Sequence, residues 1–261
     1  MIKKIVFLHI PKTAGQTVHS ELLRIFGPEH TSPVRVHTQA GADGQFPEGY
    51  RFYSGHLDWE TLDTADSDSF VFTVLRDPKD RIASFYFYLL HRSSLLNSEE
   101  LSLDFNAGLK EIRNKTAPEY FFGGGKAWQR FIRDHYDNFY CKYFASRKVR
   151  SFIDLDTLSA AEIIQRATNS CHDLDRVYTT KTLSNLENDI LTLTGKPVSI
   201  ANTRINVGPN CNVNDNWAEL LKLMESDENR ARLMRFTTLD EILINNLKQE
   251  RILHCEVPLD L

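Results

Sequence analysis

Hydrophobic positions along this chain follow two different periods. Short runs of β-branched and aromatic residues predict strands at 3–10, 34–37, 51–54, 70–75 and 177–180. Between them, apolar residues recur at helical spacing over 16–26, 78–92 and 128–144. Strands that alternate with helices predict an α/β fold of three layers, in which helices flank a central parallel sheet.

Capping signals set the expected helix boundaries. Asp77 precedes Pro78, which suits a first helical turn, and Gly27-Pro28 ends the first helix. Capping boxes of the form Ser/Thr-x-x-Glu at Ser159, Ser184 and Thr238 predict three further helix starts.

The length of the chain favours one domain over 1–261, without repeats or linkers, and leaves two small domains as the alternative. The mixed segment 93–127, which includes Gly123-Gly124-Gly125, is a candidate mobile lid or acceptor-site insertion.

The net charge of −4 gives no electrostatic reason to expect a nucleic acid partner. The four cysteines form no C-x-x-C pair, so metal-ligand spacing is absent. Free buried thiols are the favoured state, and a pairing into two disulfides is the alternative.

The first strand begins almost at the N-terminus, which leaves no room for a signal peptide or membrane span. We therefore expect a cytosolic protein if the sequence is complete, and a luminal one if it is a trimmed piece.

A candidate phosphate-binding loop joins the first strand to the first helix. Its expected ligand-binding residues are Lys12, Thr13, Ala14, Gly15, Gln16 and Thr17. A helix N-terminus binds anions through its free N–H groups and its dipole, while Lys12 adds charge and the threonines add hydroxyls. The loop lacks the two glycines and the Lys-Ser/Thr ending of a Walker A motif. An ordinary turn after a buried strand is the alternative.

A second candidate anion site follows the strand at 70–75. Arg76 stands where that strand ends, and Ser84 lies on the helix that follows. A guanidinium and a hydroxyl that converge suit the geometry of a phosphate. Arg81 either shares this role or forms a surface pair with Asp77 or Asp80.

A third candidate is His56, which follows Gly55 at the end of the strand at 51–54. The ordinary pKa of histidine suits a general base near neutral pH. His37, Asp58 and Glu60 are the alternative bases, whereas His9 is expected to be buried structure.

These motifs together resemble the sulfotransferase superfamily. The Lys12–Thr17 loop is similar to the family's 5′-phosphosulfate loop, and Arg-Asp-Pro-x-x-Arg-x-x-Ser is similar to its 3′-phosphate motif, with Arg76 and Ser84 at the matching positions. The pattern is closest to the carbohydrate branch, namely heparan and uronyl 2-O-sulfotransferases and their soluble bacterial homologues. That resemblance implies a P-loop-like fold and the small-molecule donor 3′-phosphoadenosine 5′-phosphosulfate (PAPS), with PAP as product.

The resemblance also implies how the reaction proceeds. A hydroxyl on a carbohydrate or glycoconjugate acceptor would give its proton to His56 and attack sulfur in line, while Lys12 neutralises charge on the leaving group. No metal is expected to take part. Arg204 and Asn206 resemble a segment that closes over the nucleotide, although Gln16 and Gly208 depart from the family pattern.

Two rival functions remain. A P-loop kinase or nucleotide hydrolase would need an acidic residue where the chain has Arg76. A non-catalytic nucleotide-binding protein would more plausibly have lost Lys12, His56 or Arg76, and all three are present. Neither the acceptor nor the oligomeric state follows from the sequence.

Overall fold

The computed structural model describes residues 4–151, 155–203 and 215–253. Within these ranges the strands are β1 (Lys4–Leu8), β2 (Phe52–Gly55), β3 (Ser69–Leu75) and β4 (Arg176–Thr179). The helices are α1 (Gly15–Phe26), α2 (Pro78–Ser94), α3 (Ser98–Ser102), α4 (Ala107–Asn114), α5 (Ala117–Phe122), α6 (Lys126–His135), α7 (Phe139–Ser146), α8 (Ala160–His172), α9 (Leu183–Thr194), α10 (Asn216–Lys222), α11 (Asp227–Met234) and α12 (Thr238–Gln249).

The strands form one parallel sheet in the order β2-β1-β3-β4, with helices on its faces. Phe7 of β1 lies beside Ser54 of β2 and Phe72 of β3. All positions of β3 are buried, as expected for a central strand covered on both faces. The predicted α/β class with a parallel sheet is therefore confirmed.

The chain divides into two compact units. The first comprises Met1–Arg76, Tyr140–Ile205 and Leu239–Leu261, and the second comprises Asp77–Phe139 and Asn206–Thr238. Unit 1 holds the sheet, and its core packs Val18 and Leu22 of α1 and Leu186 of α9 with the strand residues Phe7 and Phe72. The prediction of one functional domain over 1–261 stays a prediction.

Unit 2 has a core rich in aromatic side chains. Tyr86, Tyr120, Phe121 and Tyr136 pack together in it with Trp217. The first four of these rings are buried against one another, so we assign them to the core of the unit and not to ligand binding. The segment 93–127 forms the end of α2 and the short helices α3, α4 and α5; its role as a mobile lid stays a prediction.

Several predicted boundaries are confirmed. The side chain of Asp77 accepts hydrogen bonds from the N–H groups of Lys79 and Asp80, with Pro78 in the first turn. The capping box at Ser159 and Glu162 is present at the start of α8.

The strand predicted at 34–37 is wrong. Within that segment Val36 forms an isolated bridge to His56, and Thr31 before it bridges to Phe52; the chain then turns at His37–Gln39. Pro33 has no N–H to give to a ladder, which limits regular pairing here.

The single helix predicted at 128–144 is also wrong. It divides into α6 and α7 because Asn138 takes a left-handed conformation with φ of 49°. The side chain of Asn138 donates to the carbonyl oxygen of Arg235 and fixes this break within unit 2.

Helices begin at or beside the other two predicted starts, at Leu183 next to Ser184 and at Thr238 itself, but the box at Ser184 does not cap its helix. Ser184 lies inside α9, and Glu187 instead accepts hydrogen bonds from the N–H groups of Ile200 and Ala201. Thr238 continues directly from a 3₁₀ turn at Arg235–Thr237 into α12.

The described cysteines Cys141 and Cys171 are free and buried, whereas Cys211 and Cys255 lie outside the described residues. Within the described ranges, no helix combines the length and the apolar character needed to cross a bilayer.

Candidate active site

The loop between β1 and α1 is held in an unusual backbone conformation. Lys12 and Ala14 both adopt left-handed φ angles, 71° and 65°. The hydroxyl of Thr13 donates to the carbonyl oxygen of Ile10 at 2.9 Å, which closes the turn from within. Non-glycine residues in this region cost energy and are concentrated at functional sites.

The start of α1 suits an anionic ligand. No side chain caps the helix at Ala14, and its first turn contains no acidic residue. The first N–H groups of a helix together with its dipole favour negative charge at this position. The start of α1 is therefore compatible with an anion, and phosphate binding by the loop before it stays a prediction.

Gly15 is required at the first position of α1 by a neighbouring ring. A Cβ placed there would lie 1.8 Å from Nε2 of His9, far inside van der Waals contact. The absence of a side chain lets the His9 imidazole pack beneath the loop, where it stacks on Phe7 with ring centroids 5.2 Å apart.

Lys12 and Arg76 bring two positive charges to the same edge of the sheet. Burial, together with the nearby charge of Arg76, lowers the pKa of Lys12 to about 8. Two adjacent cations repel each other, so an anion that binds both relieves the repulsion. This pair, drawn from the ends of β1 and β3, forms the candidate anion site of unit 1.

His56 extends β2 and is fixed by its backbone and by one ring nitrogen. Its N–H donates to the carbonyl oxygen of Arg35 at 2.9 Å, and its own carbonyl accepts from the N–H of His37 at 2.7 Å. Its Nδ1 lies 2.7 Å from the carbonyl oxygen of His9. Since a carbonyl only accepts, Nδ1 carries the proton and Nε2 keeps its lone pair.

The surroundings of His56 favour the neutral ring. Burial lowers its pKa, the hydrogen bond to His9 partly offsets that effect, and the charges of Arg35 and His37 lower it again. A neutral imidazole whose Nε2 is unprotonated is the form that can accept a proton.

Alternative bases near this strand have other contacts. Asp58 accepts a hydrogen bond from the N–H of Val149 at 2.7 Å. Glu60 forms an ion pair with Lys148 at 3.1 Å. These contacts give both carboxylates structural roles within unit 1.

The sequence prediction missed a set of basic side chains around His56. The His9 ring lies 4.4 Å from the His56 ring, and burial holds the pKa of His9 well below its ordinary value. Nη1 of Arg35 contacts Nε2 of His19 on α1, and burial and Arg35 lower the pKa of His19 to about 4. His9 follows β1 as His56 follows β2, and that shared position is the signal that could have revealed the pair.

The structure describes some of the other predicted ligand-binding residues and leaves two of them undescribed. Gln16 is exposed, and the hydroxyl of Thr17 lies 3.5 Å from the carbonyl oxygen of Thr203. Ser84 is half-buried on α2 in unit 2, so its convergence with Arg76 stays a prediction. Arg204 and Asn206 lie outside the described residues.

Arg81 is not a surface residue. It is 1% exposed, its Nη2 donates to the carbonyl oxygen of His135 at 3.0 Å, and its guanidinium lies over the ring of Phe139. Within unit 2 it therefore joins α2 to the chain around α6 and α7.

Comparison with known families decides the class of the protein. A model of the sulfotransferase family matches residues 2–201, which include the Lys12 loop, His56, Arg76 and Ser84. The chain belongs to the sulfotransferase family. A comparison with curated proteins gave no match. Membership makes the protein a sulfotransferase, an enzyme of sulfuryl transfer.

The side chains at the sheet edge of this sulfotransferase fit an anionic sulfate donor. The half-buried Lys12, the adjacent Arg76 and the uncapped start of α1 supply positive charge and N–H donors at one sheet edge. Among residues 4–151, 155–203 and 215–253, no cluster of His, Cys, Asp and Glu has the arrangement of a metal site.

Proposed function

We propose that this sulfotransferase uses PAPS as donor and sulfates a hydroxyl of a carbohydrate or glycoconjugate, with His56 as general base. The observation that carries the proposal is the juxtaposition of the Lys12 loop, His56 and Arg76 at the carboxyl ends of β1, β2 and β3. Parallel sheets bind ligands at this edge.

The Lys12 loop and Arg76 have separate tasks in this proposal. Lys12 and the N–H groups at the start of α1 hold the 5′-phosphate side of the donor, and Arg76 holds the 3′-phosphate side. When bound, the donor supplies the activated sulfuryl group. Lys12 also opposes negative charge that grows on the leaving side, which is how fixed cations lower such barriers.

His56 handles the proton of the acceptor. The hydrogen bond from Nδ1 to the carbonyl of His9 orients the ring and leaves Nε2 as the accepting atom. Because its lowered pKa keeps the ring neutral near pH 7, His56 is ready to accept a proton without prior deprotonation.

Support for a carbohydrate acceptor comes from the resemblance of the Gly55-His56 arrangement to the carbohydrate branch of the family. Kinase chemistry has less support, since β3 is followed by Arg76, whereas a Mg²⁺ site needs a carboxylate there.

Calorimetric titration with PAP and AMP tests the donor assignment without knowledge of the acceptor. We expect PAP to bind at least tenfold more tightly, because the extra phosphate forms charge-assisted contacts with Arg76. Arg76→Met should remove most of this difference, whereas Arg51→Met, which removes a guanidinium at the amino end of β2, should not. Equal affinities of the wild type for PAP and AMP would overturn the assignment.

A further inference from the structure

Helix α7 carries two buried tyrosines that face the same way. Tyr140 and Tyr143 are three residues apart, which places them on one face of the helix. Their side chains are 0% and 2% exposed. Both hydroxyls form hydrogen bonds with backbone atoms of the proposed active site or of a residue next to it.

The hydroxyl of Tyr140 forms hydrogen bonds with both backbone groups of Arg76. It donates to the carbonyl oxygen of Arg76 at 2.9 Å and accepts from the N–H of the same residue at 3.1 Å. A hydroxyl is both donor and acceptor, so it can satisfy both groups at once. Arg76 follows β3 directly, where the ladder no longer holds it.

The hydroxyl of Tyr143 contacts the chain that follows β2, at the same edge of the sheet. It donates to the carbonyl oxygen of Leu57 at 3.0 Å. Leu57 is fully buried and follows His56 in the chain. This contact therefore fixes the backbone just beyond the proposed base.

The start of α7 is itself fixed by a buried carboxylate. Asp240 of α12 is 1% exposed, and its two oxygens accept from the N–H groups of Tyr140 at 3.2 Å and Cys141 at 2.9 Å. A carboxylate at a helix start satisfies free N–H groups and complements the dipole. The two phenols thus project from an anchored helix.

We propose that Tyr140 and Tyr143 are positioning residues of this sulfotransferase, Tyr140 for the anion-binding Arg76 and Tyr143 for the base His56. This inference rests on the proposed function, because it assigns a purpose to Arg76 and His56. Neither tyrosine touches the reacting atoms; each acts by holding the backbone that carries a residue that does.

The test compares Tyr140→Phe and Tyr143→Phe with Tyr120→Phe, which loses a buried hydroxyl bonded to Tyr136 at 2.9 Å in unit 2. We expect Tyr140→Phe to weaken PAP binding about tenfold while AMP binding is retained, since a misplaced Arg76 affects the 3′-phosphate alone. Tyr143→Phe should lower kcat about tenfold and leave both affinities unchanged. Tyr120→Phe should change melting temperature without changing the PAP-to-AMP ratio.

The outcomes separate this inference from the proposed function. If the wild type does not distinguish PAP from AMP, the proposed function fails. If the wild type distinguishes them and Tyr140→Phe does so equally well, or loses both affinities alike, the positioning role fails. An unchanged kcat in Tyr143→Phe would contradict the role of Tyr143 in positioning His56.

A second variant guards against a Tyr140→Phe protein that does not fold. Asp240→Asn keeps the shape of the anchor and weakens its hydrogen bonds to the start of α7. It should reduce the PAP-to-AMP ratio in the same direction by a smaller factor. A folded Asp240→Asn protein with the wild-type ratio would contradict the role of α7.

Discussion

The chemistry proposed for this sulfotransferase depends on the protonation of single side chains. His56 must be neutral to accept a proton, and Lys12 must be charged to bind an anion. Burial moves both pKa values downward. For His56 this shift favours the active form near pH 7, while for Lys12 it brings loss of charge close to the working range.

Lys12 gives the donor affinity a predictable pH dependence. The free protein has a Lys12 pKa of about 8, and a bound phosphate raises it, so binding takes up a proton when pH exceeds about 8. PAP affinity should be constant from pH 7 to about 8 and then fall by up to about tenfold per pH unit. Calorimetry over this range measures the effect.

Lys12→Arg provides the matched control for this titration. Arginine keeps its charge throughout the range, so the decline in affinity should disappear. A decline that persists in Lys12→Arg would show that another group, or the ligand itself, titrates.

At the scale of elements, the junction of β1 and α1 shows why residue propensity alone misleads. Gly15 begins a helix, where alanine is ordinarily better by about 1 kcal/mol. The His9 ring occupies the volume that a methyl group would need. Tertiary contact therefore reverses the preference.

Gly15→Ala should destabilise the protein by about 1–3 kcal/mol, the usual cost of forcing extra volume into a packed site. It should also lower turnover, because displacement of His9 disturbs the carbonyl that orients His56. Denaturant unfolding and a turnover assay measure the two effects.

Gly108→Ala on α4 is the matched control for that substitution. An added Cβ there meets nothing within 4 Å, so stability should rise slightly by helix propensity. If Gly15→Ala changed the free energy of unfolding no more than Gly108→Ala does, the packing of His9 against the loop would not contribute to stability.

The same elements show what the sequence could predict. The sequence could predict the positions of the β1–α1 loop, of His56 and of Arg76. Each of them directly follows an apolar run that is typical of a buried strand. The basic neighbours of His56 could not be predicted, since His19 and Arg35 meet only when α1 packs beside the edge of the sheet. Tyr140 and Tyr143 escaped for the same reason: their partners lie 64 and 86 positions away in the chain.

At the scale of the whole molecule, the parallel order β2-β1-β3-β4 brings three separate motifs to one edge. The alternation of strands and helices predicted this class of fold. It could not predict that unit 2 forms its own aromatic core, because no period in the sequence marks which helices pack together.

Charge on this edge comes from side chains, and we expect catalysis without a divalent metal. Sulfuryl transfer should proceed unchanged in EDTA, since Lys12 and Arg76 supply the positive charge that Mg²⁺ provides in kinases. An assay with EDTA beside one with added Mg²⁺ measures this. A strict requirement for Mg²⁺ would contradict the proposed mechanism.

The most direct test of the account follows label from radiolabelled PAPS into carbohydrate acceptors with the wild type and His56→Ala, each also titrated with PAP. We predict labelled product with the wild type, and a rate about 10²–10⁴-fold lower in His56→Ala with PAP affinity nearly unchanged, because the base contacts the acceptor alone. Near-normal transfer by His56→Ala would contradict the account.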